Sequence, residues 1–513
     1  MKTLSINTTT RLMKRSITLL PFILILIYFS CNLPSEQAST PEEHFNNYCT
    51  SCHLTPSPAN IPKDIWEKKV LPEMAARLGY KYDGYDPLAR NTMEENLFIR
   101  MSGVYPSQPL IDSITWMQIH DYVISNAPDK IETDTTRNQR NVAITQFSPK
   151  PISLDSEDLS VITNIQFDSL KNHFIVGNAL GKTVHWPSSA VEVPSFDSPL
   201  ISYHELNDAT YFTEIGFMNP SEKPFGVTSK YQNGQQTILA KELHRPVYSQ
   251  VVDLDDDQVE EVLICEFGNL TGQLSMLIQA GEQVEKRTLL ALPGIIRTAV
   301  ADLNKDGKKD IIALASQGKE GVYILYQEED LTFRLEHVIK MGSEYGSSWF
   351  QLMDYNGDDH LDIVLVNGDN ADYSIFSKPY HGVRIFMNDG ENQFEEKWFY
   401  PIYGATRVLA NDYDLDGDID LAVMSFFPDF EFVPQENFVY LENKNAANFD
   451  FESSTFSTGL AGRFLVMDDG DFDGDGDIDI LLGSFMLFPG KKFKSITDDW
   501  LAEKADLFLL ENR

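Results

Sequence analysis

Four stretches of the chain place oxygen-bearing side chains at alternate positions of a tight, acidic segment. They read Asp302-Leu-Asn-Lys-Asp-Gly-Lys-Lys-Asp310, Asp354-Tyr-Asn-Gly-Asp-Asp-His-Leu-Asp362, Asp412-Tyr-Asp-Leu-Asp-Gly-Asp-Ile-Asp420 and Asp471-Phe-Asp-Gly-Asp-Gly-Asp-Ile-Asp479. Side-chain oxygens at positions one, three, five and nine converge when such a loop turns sharply, and position seven offers its backbone carbonyl. That is the dense set of hard oxygen ligands that Ca²⁺ takes. The candidate ligands are Asp302, Asn304, Asp306 and Asp310 with the carbonyl of Lys308; Asp354, Asn356, Asp358 and Asp362 with that of His360; Asp412, Asp414, Asp416 and Asp420 with that of Asp418; and Asp471, Asp473, Asp475 and Asp479 with that of Asp477. About four ions are implied. Gly307, Gly417 and Gly476 stand at position six, where the turn calls for positive φ, and Asp359 stands there in the Asp354 copy. Asp tolerates that region better than most residues. In a worn copy, Asp253, Asp255, Asp257 and Glu261 keep the carboxylates, but Gln258 replaces the glycine and Val259 follows. Its metal ligation is left open. A single acidic turn could equally be a plain strand connector; four aligned copies favour metal.

A second chemistry is written in Cys49-Thr-Ser-Cys52-His53. Two thiols at this spacing with histidine next form the c-type haem attachment signature, in which the thiols add to the haem vinyl groups and the imidazole ligates iron. A redox dithiol is the alternative, but it belongs near a βαβ pattern, and none is visible here. One Cys can be lipidated, two hold haem and only Cys265 is left, so no disulfide is expected.

These residues need elements to position them. The ninth-position acids lead into Ile311-Ile-Ala-Leu, Ile363-Val-Leu-Val, Leu421-Ala-Val-Met and Ile480-Leu-Leu-Gly, which are buried-strand runs without helical spacing. An EF-hand is excluded, since its loop closes at position twelve and enters a helix. The copies recur about every 50 residues, the period of repeated units such as propeller blades. They resemble the FG-GAP or VCBS repeats of integrin α-chain propellers and many bacterial secreted proteins, over roughly residues 247–513. The resemblance implies a Ca²⁺ loop joining the first two strands of each four-stranded blade. Residues 159–178 and 209–228 read as two further blades without the loop, which makes seven. Ala505-Asp-Leu-Phe-Leu-Leu510 is the candidate closing strand, with its partner undetermined.

Around the cysteines, Thr40-Pro-Glu-Glu43 combines a cap, a first-turn proline and a returning acid, so a helix starts there and carries Phe45 and Tyr48 to the attachment site. A closing helix runs from Ile111, with Ile114, Trp116, Ile119 and Val123 assigned to one side, and Asn126-Ala-Pro128 ends it. The unit 40–128 resembles a small class I cytochrome c. That resemblance implies a sixth iron ligand, for which a methionine suits electron transfer. Met74, in Trp66-Glu-Lys-Lys-Val-Leu-Pro-Glu-Met74, follows a pattern also seen in multi-domain haem dehydrogenases; Met101, shortly before the closing helix, is the alternative. Core packing is the plain role for either, and His120 reads as a polar-face helix residue.

The expected fold is therefore a small all-α cytochrome c domain followed by an all-β propeller of seven blades. The domains are 1–30 signal peptide, 31–39 tether, 40–128 cytochrome c domain, 129–150 linker and 151–513 propeller. Lys2, Arg11, Lys14 and Arg15 precede the apolar run Ile17–Phe29, an export signal. Tyr28-Phe29-Ser30-Cys31 resembles a bacterial lipobox, which implies lipidation of Cys31 and anchoring in the cell envelope, at the outer membrane or in the periplasm; an ordinary signal cut nearby is the alternative. The formal charge of −36 argues against nucleic acid or an anionic surface as partner.

Loops after the second strands gather on the face opposite the Ca²⁺ loops. The longest, Asn367 to Gly382, contains Asp369, Asp372 and His381, candidates for a base and its orienter. Ordinary loop hydrogen bonding is the competing role. Function divides into a haem c electron-transfer protein whose propeller binds a small molecule, a glycan or a redox partner protein, and a recognition module with a docked haem unit. A propeller dehydrogenase feeding the haem is a further version, and six Trp do not supply the Trp-rich repeats of quinone-dependent propellers.

Overall fold

The computed structural model describes residues 39–82, 84–134, 137, 142–154, 159–187, 196–206, 208–281, 283–370, 376–457, 459–486 and 494–513. The export segment, Cys31, most of the tether and Asp372 lie outside the described residues. Among the described residues, no helix is long and apolar enough to cross a membrane.

The apolar runs after the ninth-position acids form strands that are buried on both faces, because each sheet packs between two others. Seven sheets result. Two short strands enter first, β1 (Val142–Ala143) and β2 (Ser148–Ile152). Blade 1 holds β3 (Ile162–Asp168), β4 (His173–Asn178) and β5 (Thr183–Trp186). Blade 2 holds β6 (Leu200–Leu206), β7 (Ala209–Glu214), β8 (Gly226–Gln232) and β9 (Gln235–Leu243). Blade 3 is β10 (Pro246–Val252), β11 (Glu261–Glu266), β12 (Gln273–Ala280) and β13 (Gln283–Leu290); blade 4 is β14 (Ile295–Ala301), β15 (Asp310–Ala315), β16 (Gly321–Gln327) and β17 (Phe333–Lys340). Blade 5 is β18 (Ser347–Met353), β19 (Asp362–Asn367), β20 (Gly382–Asn388) and β21 (Phe394–Pro401). Blade 6 is β22 (Ala405–Asn411), β23 (Asp420–Ser425), β24 (Phe438–Asn445) and β25 (Asp450–Thr455), with β1 added in parallel. Blade 7 is β26 (Phe464–Gly470), β27 (Asp479–Ser484), β28 (Leu507–Glu511) and β2.

Burial is greatest at the second strand of a blade, and first strands such as β14 and β22 are only partly buried. All six residues of β15, β19, β23 and β27 are buried, while β17 and β21 expose one face. First strands contact each other in order around the ring, and β26 meets β3 to complete it. The closing bond is β2 on β28, antiparallel, from Ser148 opposite Glu511 to Ile152 opposite Leu507. Ala505–Leu510 therefore supplies the closing strand, and its partner comes from residues just before the first blade. β2 thereby covers the outer side of β28 and fills the fourth position of blade 7.

The helical segment departs from expectation. Its helices are α1 (Pro41–Cys49), α2 (Lys63–Ile65), α3 (Leu71–Arg77), α4 (Met93–Ser102) and α5 (Ser113–Asn126), with α6 (Lys494–Glu503) inserted before β28. Among the described residues, helices are few and short, about 15% of the chain, and they do not form an all-α cytochrome domain; residues 41–513 form one compact unit. Short helices have too little apolar surface for an independent core. Their cluster of Phe45, Trp66, Leu71, Trp116, Ile119 and Val123 also takes in Phe376 from the propeller. The expected separate domain is thus a helical cap sharing its core with the ring. Within α5, Trp116, Ile119 and Val123 are buried as expected, but Ile114 is 71% exposed. Two residues of α-helix turn it about 200° from Trp116, onto the opposite side.

Closure should be energetically visible. Leu510 is fully buried in a cluster with Phe438, Phe464 and Leu482. Leu510→Ala is expected to cost about 2–5 kcal/mol, measured as a lowered urea midpoint with unchanged slope.

Candidate functional site

The acidic loops join first to second strands in blades 3 to 7, which puts all five on one face of the ring. Each is folded by its own carboxylates. The first-position side chain accepts backbone N–H bonds from later in the loop: Asp302 from Asp306 (3.1 Å) and Gly307 (2.9 Å), Asp412 from Asp416 and Gly417 (both 3.0 Å), Asp471 from Gly474 (2.7 Å) and Gly476 (3.2 Å). Positive φ occurs at position six, as expected, and also at position four: Lys305 (57°), Leu415 (60°), Gly357 (71°) and Gly474 (78°). Leu415 has no composition signal for that conformation; the loop's hydrogen bonds impose it.

Ninth-position acids do something the motif does not state. Asp310, Asp362, Asp420 and Asp479 are all buried. Asp310 accepts from Leu303 N (3.0 Å) within its loop and from Gln327 N (2.9 Å) at the end of β16; Asp362 does the same with Tyr355 and Asn388, and Asp420 with Tyr413 and Asn443. They clip loop to blade; the oxygens of Asp310 and Asp362 each keep a second lone pair for a cation, whereas Asp420 Oδ2 also accepts from Tyr440 OH (2.6 Å). Asp479 has one oxygen with no hydrogen-bond partner. Burial, with Asp473, Asp477 and Asp475 close by, pushes its carboxyl up to about 7. Carboxylate oxygens of Asp412, Asp414 and Asp416, and of Asp471, Asp473 and Asp475, lie within 4.8 Å of one another, as do those of Asp253, Asp255 and Glu261. The worn copy thus keeps the backbone, with Asp256 and Gln258 at positive φ. The Lys309 ammonium from the next blade bonds Asp253 O and Asp256 Oδ1. In the Asp302 and Asp354 copies, Asn304 and Asn356 stand at position three and donate to Asp306 and Asp358.

The cysteine pair lies at the end of α1. Thr50 and Ser51 hydroxyls donate to Asn46 O and Tyr48 O (both 2.6 Å) and stop the helix. Cys49 is half-buried, with its thiol pushed up to about 12 by burial and then by Cys52; Cys52 is exposed, and both are free thiols. His53 Nδ1 lies 2.7 Å from Leu54 O. A carbonyl only accepts, so Nδ1 is the donor of this contact, and Nε2 is the ring nitrogen positioned for a metal. Among the methionines, Met74 packs on the same apolar cluster as Cys49, whereas Met101 is 75% exposed. Trp116 Nε1 is buried there without a hydrogen-bond partner.

This helical cap sits on the face opposite the acidic loops. Leu54, next to His53, forms a parallel bridge with Gly342. Asn60 donates to Glu344 (2.8 Å) and accepts from Tyr380 OH (3.1 Å), and Glu95 accepts from Ser221 (2.6 Å). Beneath it runs a buried chain: Ser347 donates to Glu320 (2.6 Å), Asn367 to Ser347 (2.7 Å) and Arg384 to Asn367 (2.9 Å). Nothing in the sequence singles out Glu320 or Ser347, since they meet only through the stacking of blades 4 and 5. His381 is fully buried and neither ring nitrogen has a hydrogen-bond partner. Burial, then Lys378 and Arg384, hold it well below the usual range. The expected base–orienter bond between His381 and Asp369 is therefore not made, and Asp372 is outside the described residues.

Residues 302–365 match the FG-GAP-like repeat. That span holds two of the acidic loops, Asp302–Asp310 and Asp354–Asp362. No curated protein matches the chain. Among solved structures, the WD40 domain of Neurospora crassa Pan2 is similar at 12% identity and TM-score 0.41, covering 72% of this chain and 96% of that one. Saccharomyces cerevisiae Sqt1 is similar at 12% identity and TM-score 0.41, covering 68% and 84%. The seven-bladed ring is read from the strand pairing itself.

Glu320 supplies a pH test of the buried chain. Burial pushes its carboxyl up to about 8, above the unfolded value of about 4.3. The folded state then holds the extra proton between those values, so this group's contribution to stability falls as pH rises towards 8. Glu320→Gln should flatten the decline in melting temperature between about pH 5 and about pH 9; parallel curves for parent and variant would refute the assignment.

Proposed function

We propose that this is a cell-envelope haem c protein of electron transfer, in which a Ca²⁺-stabilised propeller with an FG-GAP-like repeat binds a substrate or partner. The observation that carries the reading is the Cys49-Cys52-His53 signature with His53 Nδ1 committed to Leu54 O and Nε2 left free. Cys49 and Cys52 are the covalent holders, His53 Nε2 is the iron ligand, and Met74 is the methionine placed to share their apolar cluster. When bound, the haem supplies one-electron exchange at its iron. The chain's own part is to orient His53, to exclude water with Phe45, Trp66 and Trp116, and to hold the attachment segment on the propeller face through Leu54 and Asn60. A propeller carrying an FG-GAP-like repeat also fits a recognition module, and the two roles meet on the capped face. Cys31 is the proposed lipid anchor.

Expression with a c-type haem maturation system should give a covalent haem adduct by mass and haemochrome absorption. Cys49→Ser with Cys52→Ser should abolish it. Met74→Ala should alter the visible spectrum and lower the reduction potential, while Met101→Ala leaves both unchanged; the opposite pattern would make Met101 the ligand.

The acidic loops make a separate, metal-only prediction. Chelation of Ca²⁺ should lower the melting temperature of the ring, and Asp473→Asn should reduce the re-stabilisation by added Ca²⁺. A melt indifferent to chelator would overturn the Ca²⁺ reading without touching the haem one.

A further inference from the structure

The first strand of every blade carries a bulge near its start. The residues that follow it are Tyr248, Arg297, Trp349 and Arg407 in blades 3 to 6, and Asn164, Ser202 and Val466 in blades 1, 2 and 7. A bulge re-aims the next side chain. Because it falls at the same register in each strand, the four side chains of blades 3 to 6 form one tier at the centre of the ring. Two guanidiniums flank one indole: Arg297 Cζ stands 3.6 Å from the Trp349 ring centroid and Arg407 Cζ 4.1 Å from it. Tyr248 meets Trp349 edge-on at 6.2 Å, and Arg297 Cζ lies 5.2 Å from its ring.

The tier has too little negative charge. Among the described residues, neither arginine has a carboxylate within 4.0 Å, and Asp468, two residues past the corresponding position of β26, is the carboxylate that faces both. Asp468 spends one oxygen on Phe167 N (2.7 Å). Burial, followed by neighbouring Asp469, raises its carboxyl to about 7, which further weakens it as a counter-ion. Arg407 makes one hydrogen bond, to Met467 O (3.3 Å). Arg297 Nε is buried with no partner at all. Yet Arg297, Arg407, Tyr248 and Asp468 each keep accessible surface although they sit at the centre of the molecule, as side chains lining a channel do.

A guanidinium held against a ring by its face keeps its five N–H donors, which lie in its own plane, for an oxyanion. Leaving a charged donor buried and unmatched is costly. We infer that the central channel is a binding site for a small oxyanion, a carboxylate or a phosphate, gripped by Arg297 and Arg407 on either side of Trp349. None of these residues belongs to the helical cap, so binding is expected with or without haem. Specificity comes from the aromatic walls: Tyr248 and Trp349 favour an anion with a compact organic body over chloride.

The test uses the full chain at constant ionic strength, by calorimetry and thermal shift, with sodium phosphate, acetate and succinate as probes and chloride as reference. Saturable binding of at least one oxyanion, with a rise in melting temperature absent in chloride, is expected, and the better probe distinguishes phosphate from carboxylate. Arg297→Gln should weaken binding about tenfold or more. Arg297→Lys keeps charge and bulk but loses the fork, and should also weaken it, which covers the case in which the glutamine variant fails to fold. No saturable response to any oxyanion, or equal affinity in parent, Arg297→Lys and Arg407→Lys proteins, would overturn the proposal.

Discussion

The pairing of β2 with β28 is the constraint on which the rest of the molecule depends. Five residue pairs join the two ends of the ring. Until they form, β26 and β3 face water, the central tier has no enclosure and the capped face has no fixed curvature. β2 also covers the edge of β28, which would otherwise be open to pairing with another chain. The cost is a contact between residues more than 350 positions apart, the kind of long-range closure that forms late. Burial on β28 offsets that cost: Phe508 and Leu510 enter a cluster shared with blade 6, and Leu507 and Leu509 one shared with blade 1.

Acidic residues in this protein work at two levels that the loop motif merges. Side-chain oxygens at positions one, three and five remain near the surface, and in the Asp412 and Asp471 loops these carboxylates converge and could share a cation. Those at position nine are inside, where they accept backbone N–H groups from two separate elements of the blade. A buried carboxylate is tolerated only with such donors. This explains why the fifth, worn loop keeps its shape without a glycine: Glu261 still accepts from Leu254 N (3.0 Å), and the scaffold outlasts the consensus.

The helical cap and the ring are tied by polar contacts at several points and by a shared apolar core. Phe376, Tyr380, Glu344 and Gly342 reach it from blades 4 and 5, and Ser221, Lys223 and His244 from blades 2 and 3. Contacts spread over separate blades fix the cap's orientation as well as its position. The attachment segment therefore belongs to the same rigid face as the second-strand loops.

Local chemistry made much of this legible in the chain alone. The acidic loops, the strand runs behind them, the blade count and the Cys-x-x-Cys-His segment follow from residue type and spacing, which act over a few positions. What tertiary structure decided is of a different range. That the helices share a core with the ring follows from how little apolar surface short helices own, a sum no motif reports. That His381 is buried without a hydrogen bond to Asp369, and that Ile114 faces water, depends on which neighbours arrive. The Arg297–Trp349–Arg407 tier is the clearest case: its residues are about 50 positions apart in three unremarkable strands, and only aligned bulges in a closed ring bring their charges together.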